Sequence, residues 1–192
     1  MSLVGFKKME IRVLDGKEPT ENENVFSVAG VQDKGATQTA NITGLTSEPQ
    51  KTYGSDVAYF STQKGVGDVK AELGLIDLPF DLQSTILGRA KGEDGVVTIG
   101  ADTTAPFCSL TLFSTTAQGE EVAIGFFKGQ FSMESIEIET LTGENPELKT
   151  ESLTFTALAS DDGDTAGQYV GIGVGKATVD TLRQKVKLTA AA

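Results

Sequence analysis

The stretch Gly65–Gly88, GVGDVKAELGLIDLPFDLQSTILG, joins the pattern of a β-strand to the pattern of a short helix. Its first half alternates apolar and charged side chains, which is the two-residue period of a strand with one buried face. The apolar members are Val69, Ala71, Leu73 and Leu75, and the charged members are Asp68, Lys70 and Glu72. We therefore predict a half-buried strand that leads directly into the second half of this stretch.

The second half of this stretch has the start and stop signals of one helical segment. Pro79 stands where a first helical turn can begin, and Gly88 is a C-terminal stop. The apolar residues that recur at helical spacing between them are Leu82, Ile86 and Leu87. We predict a short helix within Pro79–Arg89 whose apolar stripe lies on a sheet.

The remaining segments are mostly strand-like and are separated by glycine-containing turns. Strands at spacings of roughly 8–12 residues are typical of a β-sandwich or β-barrel. The predicted strands are Lys8–Val13, Val25–Ala29, Ala36–Ile42, Val57–Ser61, Gly95–Gly100, Pro106–Thr115, Glu121–Gln130, Ser132–Leu141 and Lys149–Ala159. Thr178–Lys187 is left open between a short amphipathic helix and an arm. The predicted fold class is mainly β, with a two-sheet sandwich or barrel flanked by one short α-helix.

The composition is typical of a globular protein of one domain. The chain has 192 residues, of which 39% are hydrophobic and 22% charged, and its 22 glycines suit many tight turns. We predict a domain over residues 1–160 and a C-terminal arm over residues 161–192, which either stands apart or belongs to the same domain. Because there is no membrane-length apolar run, no secretion-signal pattern and a single cysteine, we expect synthesis in a reducing cytoplasm.

Acidic residues outnumber basic ones by 27 to 16, which gives a net charge of −11. Both signs are spread along the chain, without a basic patch. Tight binding of nucleic-acid phosphates depends on clustered lysines and arginines, so we do not expect it. The acidic balance remains compatible with a protein that touches DNA without holding it.

No motif in the chain indicates catalysis. The chain has no histidine, which excludes Ser–His–Asp triads, Cys–His dyads and zinc sites with histidine ligands. The segment Gly171–Thr178, GIGVGKAT, does not fit a phosphate-binding loop. Val170, just before it, stands where the loop needs glycine, and Ala177 stands where the loop needs Ser or Thr. We interpret it as a flexible or edge-strand segment, and Cys108 as a small buried hydrophobe. We predict no enzyme, no metal and no cofactor.

Acidic residues in two places admit both a structural and a functional interpretation. The carboxylates around Gly163 could collect a calcium ion, but no Glu follows at EF-hand spacing, and Asp and Gly favour a tight turn. These carboxylates belong to Asp161, Asp162 and Asp164. A pair of acids that converge from distant strands for glycoside cleavage stays open as an alternative.

Two predicted strands have a polar face without catalytic character. One face consists of Thr37, Thr39 and Asn41, with Thr43 just beyond. The other carries Glu137 and Glu139, opposite Ile136 and Ile138. Glu134 has the opposite parity and joins the second face only through a bulge or at the end of the strand. Such faces are either simply solvated or are surfaces with a function.

Taken together and in order, four segments resemble the major tail protein family of long-tailed phages that infect Gram-positive bacteria. The matching stretches are KTYGSDVAYFSTQKGVGDVKAELGLIDLP (51–79), FDLQSTILG (80–88), APFCSLTLFSTTAQGEEVAIGFFKGQFSMESIEIET (105–140) and ESLTFTAL (151–158). No single motif among them is specific, and the resemblance lies in the ordered set over roughly residues 4–160.

The resemblance implies a subunit of the phage tail tube, built as two packed sheets with a flanking helix, a fold shared with type VI secretion tube proteins. It implies hexameric rings that stack into a hollow tube for genome delivery, with double-stranded DNA passing through without specific binding. The implied partners are further copies of this chain, the tape measure protein and other tail proteins, with no membrane. The implied location is the virion tail of a phage or prophage, after synthesis in the host cytoplasm.

The same resemblance assigns roles to the polar segments. The candidate residues facing the tube lumen are Glu134, Glu137, Glu139, Thr37, Thr39 and Asn41. A long loop reaches the neighbouring ring in the related tubes, and Leu45–Ser55 is long, polar and exposed in character. The candidate residues of this inter-ring loop are Leu45, Glu48, Pro49, Lys51 and Tyr53.

Two other classes of protein compete with this interpretation. A monomeric carbohydrate-binding or adhesion sandwich usually presents exposed aromatics, but the chain has no Trp and only 3 Tyr. A hydrolase with an acid pair is disfavoured because histidine is missing and no polar cluster is tied to loop glycines.

Overall fold

The computed structural model describes residues 2–140 and 148–189 and has a mainly β fold, as predicted. Its strands are β1 (Leu3–Val13), β2 (Val25–Val28), β3 (Ala36–Thr43), β4 (Gln50–Gly54), β5 (Val57–Thr62), β6 (Lys70–Ile76), β7 (Ala90–Lys91), β8 (Val97–Thr98), β9 (Cys108–Thr116), β10 (Glu121–Ser132), β11 (Glu151–Leu158) and β12 (Val170–Val174). The helices are α1 (Phe80–Ile86) and α2 (Lys176–Lys185), with a 3₁₀ turn at Gly163–Thr165.

Eight of these strands form one antiparallel sheet: seven follow the order β2-β1-β9-β10-β11-β6-β3, and the eighth, β12, pairs with β10 beside this path. The long strand β10 pairs with β9 on one side and, on the other, with β12 along Val122–Phe126 and with β11 along Lys128–Ser132. The strands β4 and β5 form a separate hairpin, and β7 and β8 form a second small one. The main sheet is therefore continuous, and β10 joins its two halves.

The main sheet curls until β3 comes close to β1, although these strands are not neighbours in the ladder. The hydroxyl of Thr37 in β3 donates a hydrogen bond to the carbonyl oxygen of Phe6 in β1 at 2.8 Å. The two halves of the sheet enclose the main apolar core, in which the rings of Phe126, Phe131 and Phe155 meet edge to face. The result lies between the sandwich and the barrel that the strand spacing predicts.

The helix α1 lies where the sequence predicts it. Pro79 occupies the N-cap, its carbonyl oxygen accepts the first helical hydrogen bond from Gln83, and Gly88 follows the helix with φ +64°. Leu82, Ile86 and Leu87 are buried in the main core. A β-carbon on Gly88 would lie 1.9 Å from the carbonyl oxygen of Thr104, so this position needs glycine for both conformation and space.

The helix α2 occupies the segment that the sequence left open between helix and arm, so the structure has two α-helices rather than one. Val179, Leu182 and Val186 pack with Phe113 and Ala123 in a second, smaller core. Glycines in β10 and β12 make this close approach possible. A β-carbon on Gly125 would lie 2.8 Å from a methyl carbon of Val186, and a β-carbon on Gly171 would lie 2.8 Å from a methyl carbon of Leu182. The glycine-rich GIGVG segment is thus the edge strand β12, shaped to accept a helix.

Three predicted assignments are corrected, one of a loop and two of strands. The predicted loop Leu45–Ser55 contains the strand β4, and only Val97–Thr98 of the predicted strand Gly95–Gly100 is paired. The predicted strand Ser132–Leu141 ends at Ser132, because residues 133–140 have no ladder partner in the described part of the chain. Leu141 itself lies outside the described residues.

Candidate channel and assembly surfaces

A polar face crosses the four strands β3, β6, β11 and β10. Residues directly opposite one another in an antiparallel ladder lie on the same face of the sheet. Two rows of such partners cross all four strands: Asn41–Glu72–Thr154–Ser132 and Thr43–Lys70–Thr156–Gln130. A third, shorter row is Thr39–Gly74–Ser152. These rows consist of Ser, Thr, Asn, Gln and one glycine, with one acidic and one basic residue.

The alternate rows of the same strands are apolar and face the core. Between the two long polar rows lies the row Ile42–Ala71–Phe155–Phe131, in which all but Ile42 are buried. The sheet is therefore apolar on one side and polar on the other, over the width of four strands. We call the outward side the polar face.

A β-bulge divides the predicted polar set of β3. Thr37 pairs with Leu75, whereas Thr39 pairs with Gly74, so one extra residue, Gln38, lies between them. Thr37 consequently lies on the side of the buried Leu75 and bonds to β1, while Thr39 and Asn41 lie on the polar face. The expectation that the three residues share one face is wrong for Thr37.

The charges of the polar face nearly balance. Asn41 donates to Glu72 at 3.1 Å, and Lys70 forms an ion pair with Asp68 at 2.6 Å. The hydrogen bond and charge of Asp68 raise the pKa of Lys70, and Glu134 contributes in the same direction. Glu134 therefore lies near Lys70, at the margin of the polar face.

Glu137 and Glu139 lie in an extended segment without secondary structure, not on a strand face. Lys149 donates a hydrogen bond to Glu139, and this bond is the main cause that raises the pKa of the lysine. The negative charge of Glu137 adds to the same effect. The intervening Ile136 and Ile138 are exposed, Ile138 by 90%. The sequence alternates Ile and Glu, but among residues 2–140 and 148–189 this segment has no partner strand, and Ile136 and Ile138 are exposed.

The predicted inter-ring loop forms the base and first strand of the β4–β5 hairpin. Ser55 and Asp56 form its two-residue turn with φ of +52° and +62°, the positive values that a type I′ turn requires. Every residue from Glu48 to Asp68 is exposed, as is Leu45. The candidate residues of the loop therefore all lie at the surface: Leu45, Glu48 and Pro49 precede β4, and Lys51 and Tyr53 belong to it. The sequence pattern did not predict this strand.

The hairpin carries large apolar side chains in spite of its exposure. Its exposed apolar residues are Tyr53, Val57, Tyr59 and Phe60, and Tyr59 is 83% exposed. A two-stranded hairpin alone is marginally stable in water, and exposed apolar groups of this size mark an interaction site. We call these four residues the hairpin surface.

The two chain segments at the base of the hairpin are hydrogen-bonded to each other. Gly67 donates its backbone N–H to the carbonyl oxygen of Gly44 at 2.8 Å, and the Gln63 side chain donates to the Ser47 carbonyl at 2.7 Å. A β-carbon on Gly44 would lie 2.0 Å from the carbonyl oxygen of Asp68. The two chains that enter and leave the hairpin thus run side by side at a glycine contact.

A second exposed apolar surface surrounds the start of α1. Phe80 and Ile136 are exposed and line one cavity there, and we call these two residues the α1 surface. A cavity of about 430 Å³ beside Phe80 is lined by Met133, Ile136, Glu137, Lys149 and Glu151, among others. Gln83 of α1 donates to Glu151 at 2.8 Å, and partial burial raises the pKa of this carboxyl.

Residues with possible chemistry have structural roles in the described part of the chain. Cys108 is fully buried, and desolvation raises the pKa of its thiol to about 12, as expected of a small core hydrophobe. Asp161 accepts a hydrogen bond from Lys128 at 2.7 Å, and Asp162 pairs with Lys187 at 3.4 Å, beside the 3₁₀ turn. Over residues 2–140 and 148–189, no three His, Cys, Asp or Glu residues are grouped as a metal site would require.

The sequence of β11 contains a local signal for the polar face. In ESLTFTAL (151–158), Ser152, Thr154 and Thr156 alternate with buried Leu153 and Phe155. This alternation predicts a polar strand face, but only the ladder shows that it continues the face of Thr39 and Asn41.

Neither α-helix of the described residues has the length and apolar character needed to span a bilayer.

Comparison with known proteins identifies the structural class of the chain. A search of curated proteins finds no match. The family model described as phage tail tube protein matches residues 1–172, from before the first strand into β12. That family is structural and is not known for enzymatic activity. Because the match spans most of its length, the chain belongs to the phage tail tube protein family.

Proposed function

We propose that this tail tube subunit assembles into hexameric rings that stack into a hollow tube, and that its polar face lines the channel through which double-stranded DNA is delivered. The observation that carries the proposal is the pair of polar rows across four strands, with an apolar row between them on the opposite side. A wall of hydroxyls and amides offers hydrogen bonds but no cluster of cations, so DNA phosphates are not held.

The proposed lumen residues follow from the geometry of this face. Thr39 and Asn41 remain candidates, joined by Ser132 and Thr154, and Glu134 remains one at the margin near Lys70. Thr37 is set aside because it lies on the core side, and Glu137 and Glu139 because they lie in a segment without secondary structure. The rows of this face carry one acidic and one basic residue, so they offer DNA phosphates no excess of positive charge.

Lysine substitution tests the lining of the channel. Ser132→Lys with Thr154→Lys places two neighbouring cations on the face, repeated in every subunit. We expect tubes that retain linear duplex DNA at low salt and protect it from nuclease. The matched control is Val96→Lys, at an exposed position of a different surface, where any bound DNA stays nuclease-sensitive. If the double variant forms tubes whose bound DNA is digested as in the control, the polar face is not the channel wall.

We also propose that the β4–β5 hairpin, including Leu45, Glu48, Pro49, Lys51 and Tyr53, is the contact between rings. Its exposed aromatic residues and its isolation from the main sheet support this role. Gly44 and Gly67 are hydrogen-bonded, so a two-glycine link between them can replace residues 45–66 without disturbing the sheet. We expect the shortened protein to fold and to form no tubes in electron micrographs. Normal polymerisation of this variant would contradict the proposal.

The C-terminal segment 161–192 is proposed to be part of the same domain rather than a separate arm. Its strand β12 pairs with β10 in the main sheet, and α2 covers the second core. We expect truncation after Ser160 to lower the unfolding temperature sharply and to expose apolar surface to a fluorescent dye. A truncated protein with unchanged stability would indicate an independent arm.

In the virion, the proposed neighbours of this tube are the tape measure protein inside the channel and other tail proteins at its ends. The family assignment supports assembly with other tail components, while the identity of each neighbour is part of the proposal. Synthesis in the cytoplasm of a Gram-positive host, from a phage or prophage genome, belongs to the same proposal.

A further inference from the structure

Three aspartates of the chain are each followed by glycine, a pair of residues that can rearrange its own backbone. The pairs are Asp15–Gly16, Asp94–Gly95 and Asp162–Gly163. Because glycine has no β-carbon, its main-chain nitrogen can approach the carboxyl carbon of the preceding aspartate with little hindrance. The local sequence is the same in all three pairs, so a difference in their reactivity has to come from the folded structure.

The carboxylate of Asp15 is held by several neighbours. The side-chain nitrogen of Asn24 donates to it and lies 3.3 and 3.2 Å from its two oxygens, and the backbone N–H of Lys17 donates to it at 3.1 Å. The buried guanidinium of Arg12 lies 3.5 Å from the same carboxylate. Rotation of the carboxyl group toward the nitrogen of Gly16 would break these contacts together.

Asp162 is held through its backbone as well as its side chain. Its N–H donates to the hydroxyl of Ser160 at 3.2 Å, and its carbonyl oxygen accepts a hydrogen bond from the N–H of Thr165 at 3.0 Å. Ser160 and Thr165 are buried, and their hydroxyls bond to each other at 2.8 Å. Lys187 pairs with the Asp162 carboxylate at 3.4 Å. The second pair therefore belongs to a segment that buried groups anchor.

The Asp94–Gly95 pair lies at the tip of the β7–β8 hairpin, where both residues are exposed. This hairpin is separate from the main sheet and has two residue pairs, Ala90–Thr98 and Lys91–Val97. In the described part of the chain, the Asp94 carboxylate accepts one hydrogen bond, from the N–H of Val96 at 3.1 Å, and has no ion-pair partner. It is the least restrained of the three carboxylates.

Attack by the Gly95 nitrogen requires only a local opening of this hairpin tip. Gly95 donates its N–H to the carbonyl oxygen of Gly92 at 3.0 Å, and Gly92 donates to the carbonyl oxygen of Val96 at 2.8 Å, so these turn bonds have to break first. Opening costs little in a short exposed hairpin, because two strands alone are marginally stable. A β-carbon on Gly95 would meet no atom within 4 Å, so there is also room for a ring at this position.

We propose that Asp94 is a modification site at which aspartate converts spontaneously to isoaspartate through a cyclic imide. The nitrogen of Gly95 loses its proton and bonds to Cγ of Asp94, while the carboxyl C–O bond breaks and the oxygen leaves as water. A second water then opens the ring at the main-chain carbonyl of Asp94, which becomes a free carboxylate. The backbone now runs through Cγ and is one carbon longer in the turn. No oxidant, reductant or cofactor takes part, and the inference does not depend on the proposed function.

Peptide mapping of the aged protein tests this site. The full-length folded protein is incubated at mildly acidic and at neutral pH, and its peptides are analysed by fragmentation mass spectrometry and by labelling with an isoaspartate methyltransferase. We expect isoaspartate to accumulate at Asp94 several times faster than at Asp15 or Asp162. The protein unfolded in urea is the control, in which the three pairs are expected to react at similar rates because the contacts that hold them are lost.

Asp94→Glu is the matched variant, because glutamate keeps the carboxylate but would have to close a larger and less favourable ring. We expect its folded form to lose most of the methyltransferase labelling, with an unchanged circular dichroism spectrum. The proposal is overturned if Asp15 or Asp162 reacts as fast as Asp94 in the folded protein, or if Asp94 does not react. It is also overturned if Asp94 keeps the same lead in urea, since the fold would then not be the cause.

Discussion

Arg183 and Glu10, 173 residues apart in the chain, form a bidentate ion pair. The Nε and Nη2 atoms of Arg183 donate to the two carboxylate oxygens of Glu10, each at 3.1 Å. Glu10 is buried, and Lys8 donates to it at 2.8 Å while lying over the ring of Phe113. The last helix is therefore attached to the first strand by a charged contact as well as by its apolar side.

Arg183→Ala tests this attachment. The substitution leaves the buried carboxylate of Glu10 with Lys8 alone, and we expect the free energy of unfolding to fall by about 1.5–3 kcal/mol, the usual contribution of hydrogen bonds to charged groups. The measurement is urea unfolding. Lys185→Ala, exposed in the same last turn of α2, is the control and has little effect. Equal losses for both variants would show that the ion pair does not attach the helix.

Gly88→Ala tests the turn after α1. A β-carbon at this position would lie 1.9 Å from the Thr104 carbonyl oxygen, and φ is +64°. Gly95, with φ +82° and open space around its Cα, has the same backbone demand without the collision. We expect Gly88→Ala to destabilise the protein by about 1–3 kcal/mol more than Gly95→Ala, the cost of overpacking. Thermal unfolding of the two variants measures the difference, and equal values would refute the role of the Thr104 contact.

Leu82→Ala and Ile86→Ala test the apolar stripe of α1. Both side chains are buried in the main core, so each truncation is expected to lower the free energy of unfolding by about 2–5 kcal/mol. Phe80→Ala, on the same helix but 55% exposed, is expected to change stability far less. A Phe80 variant that is as unstable as the Ile86 variant would argue against a free α1 surface.

Cys108 provides a test of core integrity. Its thiol is fully buried, and desolvation raises its pKa to about 12, so the reactive thiolate is scarce at neutral pH. We expect the native protein to resist alkylation by iodoacetamide at pH 8 and to react rapidly in denaturant. Mass spectrometry after timed labelling measures both rates. Rapid labelling without denaturant would mean that the β9 region opens readily.

The ion pair between Asp161 and Lys128 is expected to stabilise the folded protein in a pH-dependent way. The hydrogen bond from Lys128 holds the pKa of Asp161 below its ordinary value of 3.8. Because the folded-state pKa is depressed, the contribution is present above the unfolded pKa and is lost as pH falls through the folded one. We expect a small shift of acid unfolding to higher pH in Asp161→Asn, and none when Lys128 is already alanine. A shift that persists in the Lys128→Ala protein would exclude this ion pair as its cause.

Much of the fold was predictable because its signals are local. The alternation before Pro79 and the helical spacing after it define β6 and α1, since apolar periodicity and terminal signals act within a few residues. The polar character of Thr39 and Asn41 and the exposure of the segment around Pro49 were also visible. The strand β4 was missed because proline and charge before Gln50 favoured a loop, while the pairing that makes it a strand is with β5.

The candidate surfaces were less predictable because they depend on neighbours distant in sequence. An extra residue at Gln38 moves Thr37 to the core side, and this bulge is visible only in the pairing of β3 with β6. The alternation of Ile136 to Glu139 satisfies the pattern of a strand, yet a strand also needs a partner to bond its backbone. The described residues contain no such partner, so Ile136 to Glu139 form an exposed segment without secondary structure.

The sequence by itself determined the mainly β class, the position of α1, the burial of Cys108 and the absence of histidine chemistry, because periodicity, caps and composition are properties of short segments. Only the tertiary structure decided that β3, β6, β11 and β10 present one polar face, that α2 closes a second core, and that β4 and β5 form a hairpin apart from the main sheet. The physical reason is that backbone hydrogen bonds between distant strands set which residues become neighbours. Alternation within one strand specifies a buried face, but not the strand that lies beside it.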